Sequence, residues 1–123
     1  MLPAGQEDLK ISFGSCYALF DATSDIFETI SAAKPDLFVW LGDAFYADST
    51  DGLFTTMTEE YYQERINKTV NSKDYDKLSH IVGVWDDHDY GQNNAGLELK
   101  DKDRNREMYL DFVNEPTTSE RRL

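Results

Sequence analysis

Three short stretches hold the side chains that could do chemistry. The densest is Asp86-Asp87-His88-Asp89, three carboxylates and an imidazole in consecutive positions. Carboxylates crowded in this way repel one another, and are tolerable only when protonated, solvated or bound to a cation. A structural role for all four at once is hard to write, so a metal or phosphate-handling site is the economical account. His88 suits three roles there: metal ligand, general acid, or donor to a transferring phosphoryl oxygen. The second stretch runs from Gly42 to Asp48, where Asp43, Tyr46 and Asp48 let one short loop aim two carboxylates and a phenol at a common point. Against that stands the plain reading of an acidic turn, since Gly-Asp is a common turn pair. The third is Gly14-Ser15-Cys16. A thiolate at a strand end can bind a metal, whereas a lone cysteine is more often a small buried hydrophobe.

Each stretch follows a predicted strand. Leu9 to Phe13 alternates apolar and polar residues. Leu37 to Leu41 is an unbroken apolar run between Pro35 and Gly42, as in a strand buried on both faces, and Ile81 to Trp85 is short and β-branched. Open α/β sheets place ligands just past the carboxyl ends of their strands, so three strand ends with three candidate clusters predict one site. Between the first two strands, Asp25 to Ala33 reads as a helix capped by Ser24, with Ile26, Phe27 and Ile30 as its apolar face. Strand, helix, strand makes a βαβ unit with a right-handed crossover and parallel strands. A polar loop over 49–57 leads to a helix from about Thr58 to Val70, opened by a capping box in Thr56-Met57-Thr58-Glu59 and packed through Tyr61, Tyr62, Ile66 and Val70. Lys73 to Ser79 predicts a short amphipathic helix. Asp101 to Asn114 predicts the last one, with Met108, Leu110, Phe112 and Val113 as its apolar side and Glu115-Pro116 as its stop. If Asp86 to Asp89 is a strand-to-loop turn, alternate side chains point to opposite sides and two of the four face the site.

Composition narrows the function classes. A formal charge of -12 and a pI near 4.4 argue against partners that are themselves polyanionic, so nucleic acid and anionic membrane surfaces are not expected. No run approaches the ~20 apolar residues of a membrane span, no signal peptide is visible, and residues 1 to 8 read as a lead-in. The single cysteine allows no internal disulfide. At 123 residues the chain is one domain at most and short for an α/β enzyme, so the expectation is a single partial domain over residues 1–123.

Taken together and in order, Gly14-Ser15-Cys16, Asp36 to Asp43 with Tyr46, and Trp85 to Gly96 resemble the successive motifs of PhoD-like alkaline phosphatases, a branch of the calcineurin-like metallophosphoesterases. Tyr109 to Phe112 with Pro116 is similar to the helix and turn that follow in that family. The resemblance implies an αββα sandwich, present here in its amino-terminal portion, and a multinuclear centre of iron and calcium. It also implies hydrolysis of a small phosphoester by metal-activated water. By motif position, Cys16, Asp43 and Tyr46 would hold an iron-like ion, a thiolate and a tyrosinate suiting a ferric ion. Asp87 would be a further ligand beside the catalytic His88, and Asp86, Asp89 and Asn93 would orient His88 or hold a second cation. The family's later half supplies further His and Asp ligands, and only His80 and His88 exist here. The alternatives are a non-catalytic cation-binding or interaction fragment and, more weakly, an enzyme with Cys16 as nucleophile.

Overall fold

The computed structural model describes residues 5, 8–18, 25–48 and 58–123. The loop at 49–57, the Ser24 cap, and Thr56 and Met57 lie outside them, as does most of the lead-in. The elements are β1 (Ile11–Gly14), α1 (Ile26–Ala32), β2 (Leu37–Leu41), α2 (Glu59–Val70), a 3-10 turn (Tyr75–Lys77), β3 (Ile81–Val84), α3 (Asp87–Tyr90), α4 (Lys102–Phe112) and a final 3-10 turn (Glu120–Arg122). All three strands run parallel in the order β1-β2-β3, with Ile11 opposite Leu37 and Phe38 opposite Ile81. This mixed α/β architecture bears out the βαβ reading at that level.

The helices sit on one face of the sheet because that face offers aromatics. Phe38 and Trp40 of β2 are buried against Phe27 of α1, Tyr62 and Ile66 of α2, Tyr75, and Tyr109 and Phe112 of α4. Their rings meet edge-on, as in Phe27 with Tyr75 at 5.0 Å and Phe45 with Tyr62 at 5.3 Å, the geometry that ring quadrupoles favour. Polar tips in this core are satisfied: Trp40 Nε1 donates to Tyr75 Oη, Tyr109 Oη to the Val84 carbonyl, and Thr69 Oγ1 to the Ala44 carbonyl. At Gly83 the Tyr109 side chain of α4 reaches the sheet. A Cβ there would lie 2.7 Å from Trp40 Cβ and 2.8 Å from Tyr109 Oη.

The opposite face carries Ile11 and Phe13, Leu37, Val39 and Leu41, and Val82 and Val84. Among the described residues nothing covers it, and Phe13 is 69% exposed and Val84 56%. Parallel sheets are normally buried on both sides, so this face is an unmet packing demand.

Three local expectations change. The helix predicted over Lys73 to Ser79 shrinks to the turn Tyr75–Lys77, because Asp74 takes the left-handed backbone at φ 65° and blocks a longer run. Val70 faces solvent, while Tyr109, not named on the expected apolar side, is fully buried as α4's anchor on the sheet. The last residues dock on the fold: Arg121 donates to the Gly83 carbonyl at 2.7 Å and to Glu115, and Arg122 pairs with Glu107 and Asp111.

Replacing Gly83 by Ala should destabilise the chain by about 1–3 kcal/mol, since neither Trp40 nor the backbone beneath it can yield. An unchanged midpoint in urea denaturation would contradict that.

Candidate metal centre

Three loops, one after each strand, form the site at the carboxyl rim of the sheet. After β1 and β2 the chains stay paired, with Cys16 N–H donating to the Gly42 carbonyl at 3.3 Å and Tyr17 N–H to the Asp43 carbonyl at 2.8 Å. Cys16 and Asp43 both adopt left-handed backbone, at φ 57° and 53°. That costs a non-glycine residue on the order of 1 kcal/mol each and is characteristic of functional turns. The two turns bring Cys16 Sγ to 3.7 Å from Asp43 Oδ2. Gly42, at φ 104°, allows the β3 loop to close in, because a Cβ there would fall 2.7 Å from Asp86 Cβ.

Asp86 to Asp89 is not the alternating turn expected from the sequence. Asp86 is the N-cap of α3 and accepts from Asp87 N–H at 2.9 Å, while the Asp89 side chain accepts from Asp86 N–H at 3.0 Å in a capping box. Acidic residues in a helix's first turn are the pattern that its backbone dipole favours, which is why the run coils. The coil sends Asp87 and His88 to the pocket and folds Asp89 inward. Asp89 is 1% exposed and accepts from Asp43 N–H at 2.5 Å and Phe45 N–H at 3.2 Å as well as from Asp86. Burial pushes its carboxyl up to about 7, against the pull of those three donors.

His88 is gripped from the β2 loop. Its Nδ1 lies 2.7 and 2.8 Å from the two Asp48 carboxylate oxygens, and the Tyr46 ring covers it at 4.2 Å. Burial alone would lower the imidazole pKa, but the Asp48 hydrogen bond and charge, with Asp87 and Asp43, raise it above its ordinary value. Asp43 is 7% exposed, and its Oδ1 has no hydrogen-bond partner among the described residues. Burial raises the Asp43 carboxyl; His88 opposes this and the neighbouring Asp87 and Asp86 reinforce it. Tyr46 is pushed up to about 12 by burial, then by Asp43 and by Cys16, which also hydrogen-bonds it. It therefore keeps its proton at neutral pH unless a cation displaces it.

Cys16, Asp43, Tyr46, Asp87 and His88 thus come together, and Asp43, Asp87 and His88 each offer a ligand atom within 4.8 Å of the others. Asp87 already accepts from His88 N–H at 3.0 Å and Asn94 N–H at 2.6 Å, which leaves each oxygen a lone pair to spare. The donors fit a cation. An orphaned, buried carboxylate oxygen amid like charges is what a bound positive ion would satisfy, with the thiol adding a softer ligand and the phenol a further oxygen on one side. The other sequence candidates sit elsewhere: Asp86 is spent on its cap, Asp89 on backbone amides, and Asn93 reaches the site only through its N–H, which donates to Asp48 at 2.7 Å. The grip on His88 expected of Asp86 and Asp89 belongs to Asp48, whose presence in the Asp43–Tyr46 loop was the available signal. Cys16 is exposed, which removes the buried-hydrophobe reading, and its neighbour is a carboxylate rather than the cationic group that would activate a nucleophilic thiol. No family model matches the chain, and neither does any curated protein or solved structure among those compared.

Asp89→Asn should cost about 2–4 kcal/mol, because an amide cannot accept all three N–H donors and would aim its own donors at one of them. Guanidinium melts of the two proteins measure it. A second expectation concerns pH. His88, raised in the folded chain, stabilises below about pH 6.5 and that contribution fades as pH rises through its folded value. Asp89, raised from 3.8 to about 7, binds more protons folded than unfolded over that interval, so it too loses stability as pH rises. The cation-free chain should therefore unfold at lower denaturant at pH 8 than at pH 5.5, and added divalent cation should reverse the order.

Proposed function

We propose that this chain carries the metal centre of a phosphoesterase of the PhoD-like kind. The observation that supports this most is the convergence of Cys16, Asp43, Tyr46, Asp87 and His88 on one rim, around a buried carboxylate oxygen that has no hydrogen-bond partner among the described residues. Cys16 with Tyr46 on one side and Asp87 on the other, sharing Asp43, would hold the cations, iron and calcium by the family resemblance. A bound cation supplies a Lewis acid that polarises phosphoryl oxygens and makes water more acidic.

The chain's own residues do the rest. Asp43 and Asp87 supply negative charge that would repel a phosphoester were it not offset, so substrate binding and cation binding are linked. His88, beside both, protonates the departing oxygen or stabilises charge on the equatorial oxygens. The substrate class is a small phosphoester. The bare apolar face of the sheet agrees with the αββα sandwich, in which a second sheet packs on that side. The same bare face favours a second reading, a cation-binding fragment that turns nothing over without a further layer.

The deciding experiment combines calorimetric titration of calcium, manganese and ferrous ions with hydrolysis of p-nitrophenyl phosphate. Asp43→Asn should weaken cation binding by about 100-fold or more and abolish hydrolysis, as chelation should. Binding that falls on Asp43→Asn with no turnover by the wild-type chain would select the second reading. Unchanged binding would overturn both.

A further inference from the structure

We infer that Arg65 gives the site a second point of recognition: its guanidinium takes a further anionic group, carboxylate or phosphate, that a phosphoester carries beyond the phosphoryl group at the cation centre. That the ligand is a phosphoester rests on the reading above; that Arg65 offers an anion site beside the pocket does not.

Helix α2 lies along the loop after β2 and grips it one turn apart, through alternate carbonyls. Thr69 Oγ1 donates to Ala44 at 3.0 Å, and Arg65 Nε donates to Tyr46 at 2.7 Å. Tyr46 is the residue whose ring covers His88, with centroids 4.2 Å apart, so a single residue joins the guanidinium to the pocket. The bond at Nε uses one of five N–H groups and fixes the plane of the fork. The other four, on the two Nη atoms, have no acceptor among the described residues. Paired Nη donors match the oxygens of a carboxylate or a phosphate two at a time.

Electrostatics single Arg65 out. In a chain of net charge -12, each of the other arginines has a carboxylate partner: Arg104 with Asp101, Arg106 with Glu107, Arg121 with Glu115 and Arg122 with Glu107. Helical spacing explains why Arg65 has none on α2, since the positions three and four away are Tyr61, Tyr62, Lys68 and Thr69. The next acid along the gripped loop, Asp48, is taken by His88 Nδ1 and Asn93 N–H. A half-buried cation without a counter-ion, tied to the loop that bears Asp43, is placed for an incoming anion. Asp43 and Asp87 repel any negative charge beyond what the cations neutralise, and Arg65 offsets that repulsion on one side only. Selectivity among phosphoesters therefore falls on a ligand whose second charge reaches that side.

Calorimetry on the full chain with calcium supplied tests this without turnover, using two phosphonates that cannot be hydrolysed: 4-carboxyphenylphosphonate and its neutral carboxamide. The carboxylate should bind about 10-fold more tightly. Arg65→Gln should bring that ratio close to one, and Arg65→Lys, which keeps the charge and a donor for Tyr46 but lacks the fork, should retain only part of it. A wild-type ratio near one, or a ratio that survives Arg65→Gln, would overturn the proposal. Should the glutamine variant fail to fold, a full ratio in the lysine variant would overturn it equally. Hydrolysis of the corresponding phosphate esters then separates the two readings. The carboxylate ester should show a KM about 10-fold below that of the carboxamide ester, a gap that closes in Arg65→Gln. Discrimination between the phosphonates with no turnover of either ester would sink the phosphoesterase reading while Arg65's role stands.

Discussion

The site depends on one buried carboxylate. Asp89 gathers three backbone N–H groups, two from the loop after β2 and one from the loop after β3, and so ties the two strand ends together at the rim. Removing a carboxylate from water costs several kcal/mol, and only well-aimed donors repay it. The donors are well aimed because Asp43 turns into left-handed backbone and Asp86 begins a helix, and both conformations present N–H groups toward the same point. The strained turn and the buried acid therefore support each other. Without the acid, the turn would leave backbone donors unsatisfied inside the fold; without the turn, the acid would be an unpaired interior charge.

That mutual support leaves the pocket's own charges uncompensated. Burial, with Asp87 and Asp86 beside it, raises Asp43's cost of ionisation, and His88 offsets only part of it while Asp48 claims its Nδ1 side. The aromatic core holds this conflict in place. Phe45, two residues beyond Asp43, is locked against Tyr62, Tyr109 and Phe112, so the loop cannot relax outward to separate its carboxylates. Tyr62 adds a second anchor, its hydroxyl donating to the Asp89 carbonyl. Rigid aromatic packing on the helix side thus stores an electrostatic strain that a cation is suited to relieve.

The sequence made the strands and their common rim legible, because short apolar runs ending in Gly or Asp carry both signals at once. Cys16, Asp43, Tyr46, Asp87 and His88 could be named from motif position and do meet. What the sequence hid were roles set by backbone direction. Asp86 to Asp89 looked like an alternating turn, since four polar residues after a strand show no period, and only the capping box reveals that the run coils. Asp48 and Asp89 then exchanged duties: the nearer acid serves backbone, and the one forty residues upstream in sequence serves His88. Tyr109 was not named on the apolar side of the last helix, yet its ring is buried and its hydroxyl finds the Val84 carbonyl in the interior.

The uneven sheet completes the physical picture. Trp40 and Gly83 face the helices at full packing, yet Val82 and Val84, on the other side of the same strands, are exposed, and Val39 between them and β1 is only partly buried. Strand ends at the rim are held in position by what packs on both faces, and here one face supplies all the restraint through α2, α4 and Asp89. A layer on the bare face would stiffen β1 most, because β1 is the edge strand whose Phe13 is most exposed and whose end carries Cys16. The thiol is thus the least restrained of the converging groups, and the half of the pocket it shares with Tyr46 is the half whose geometry most depends on that face being covered.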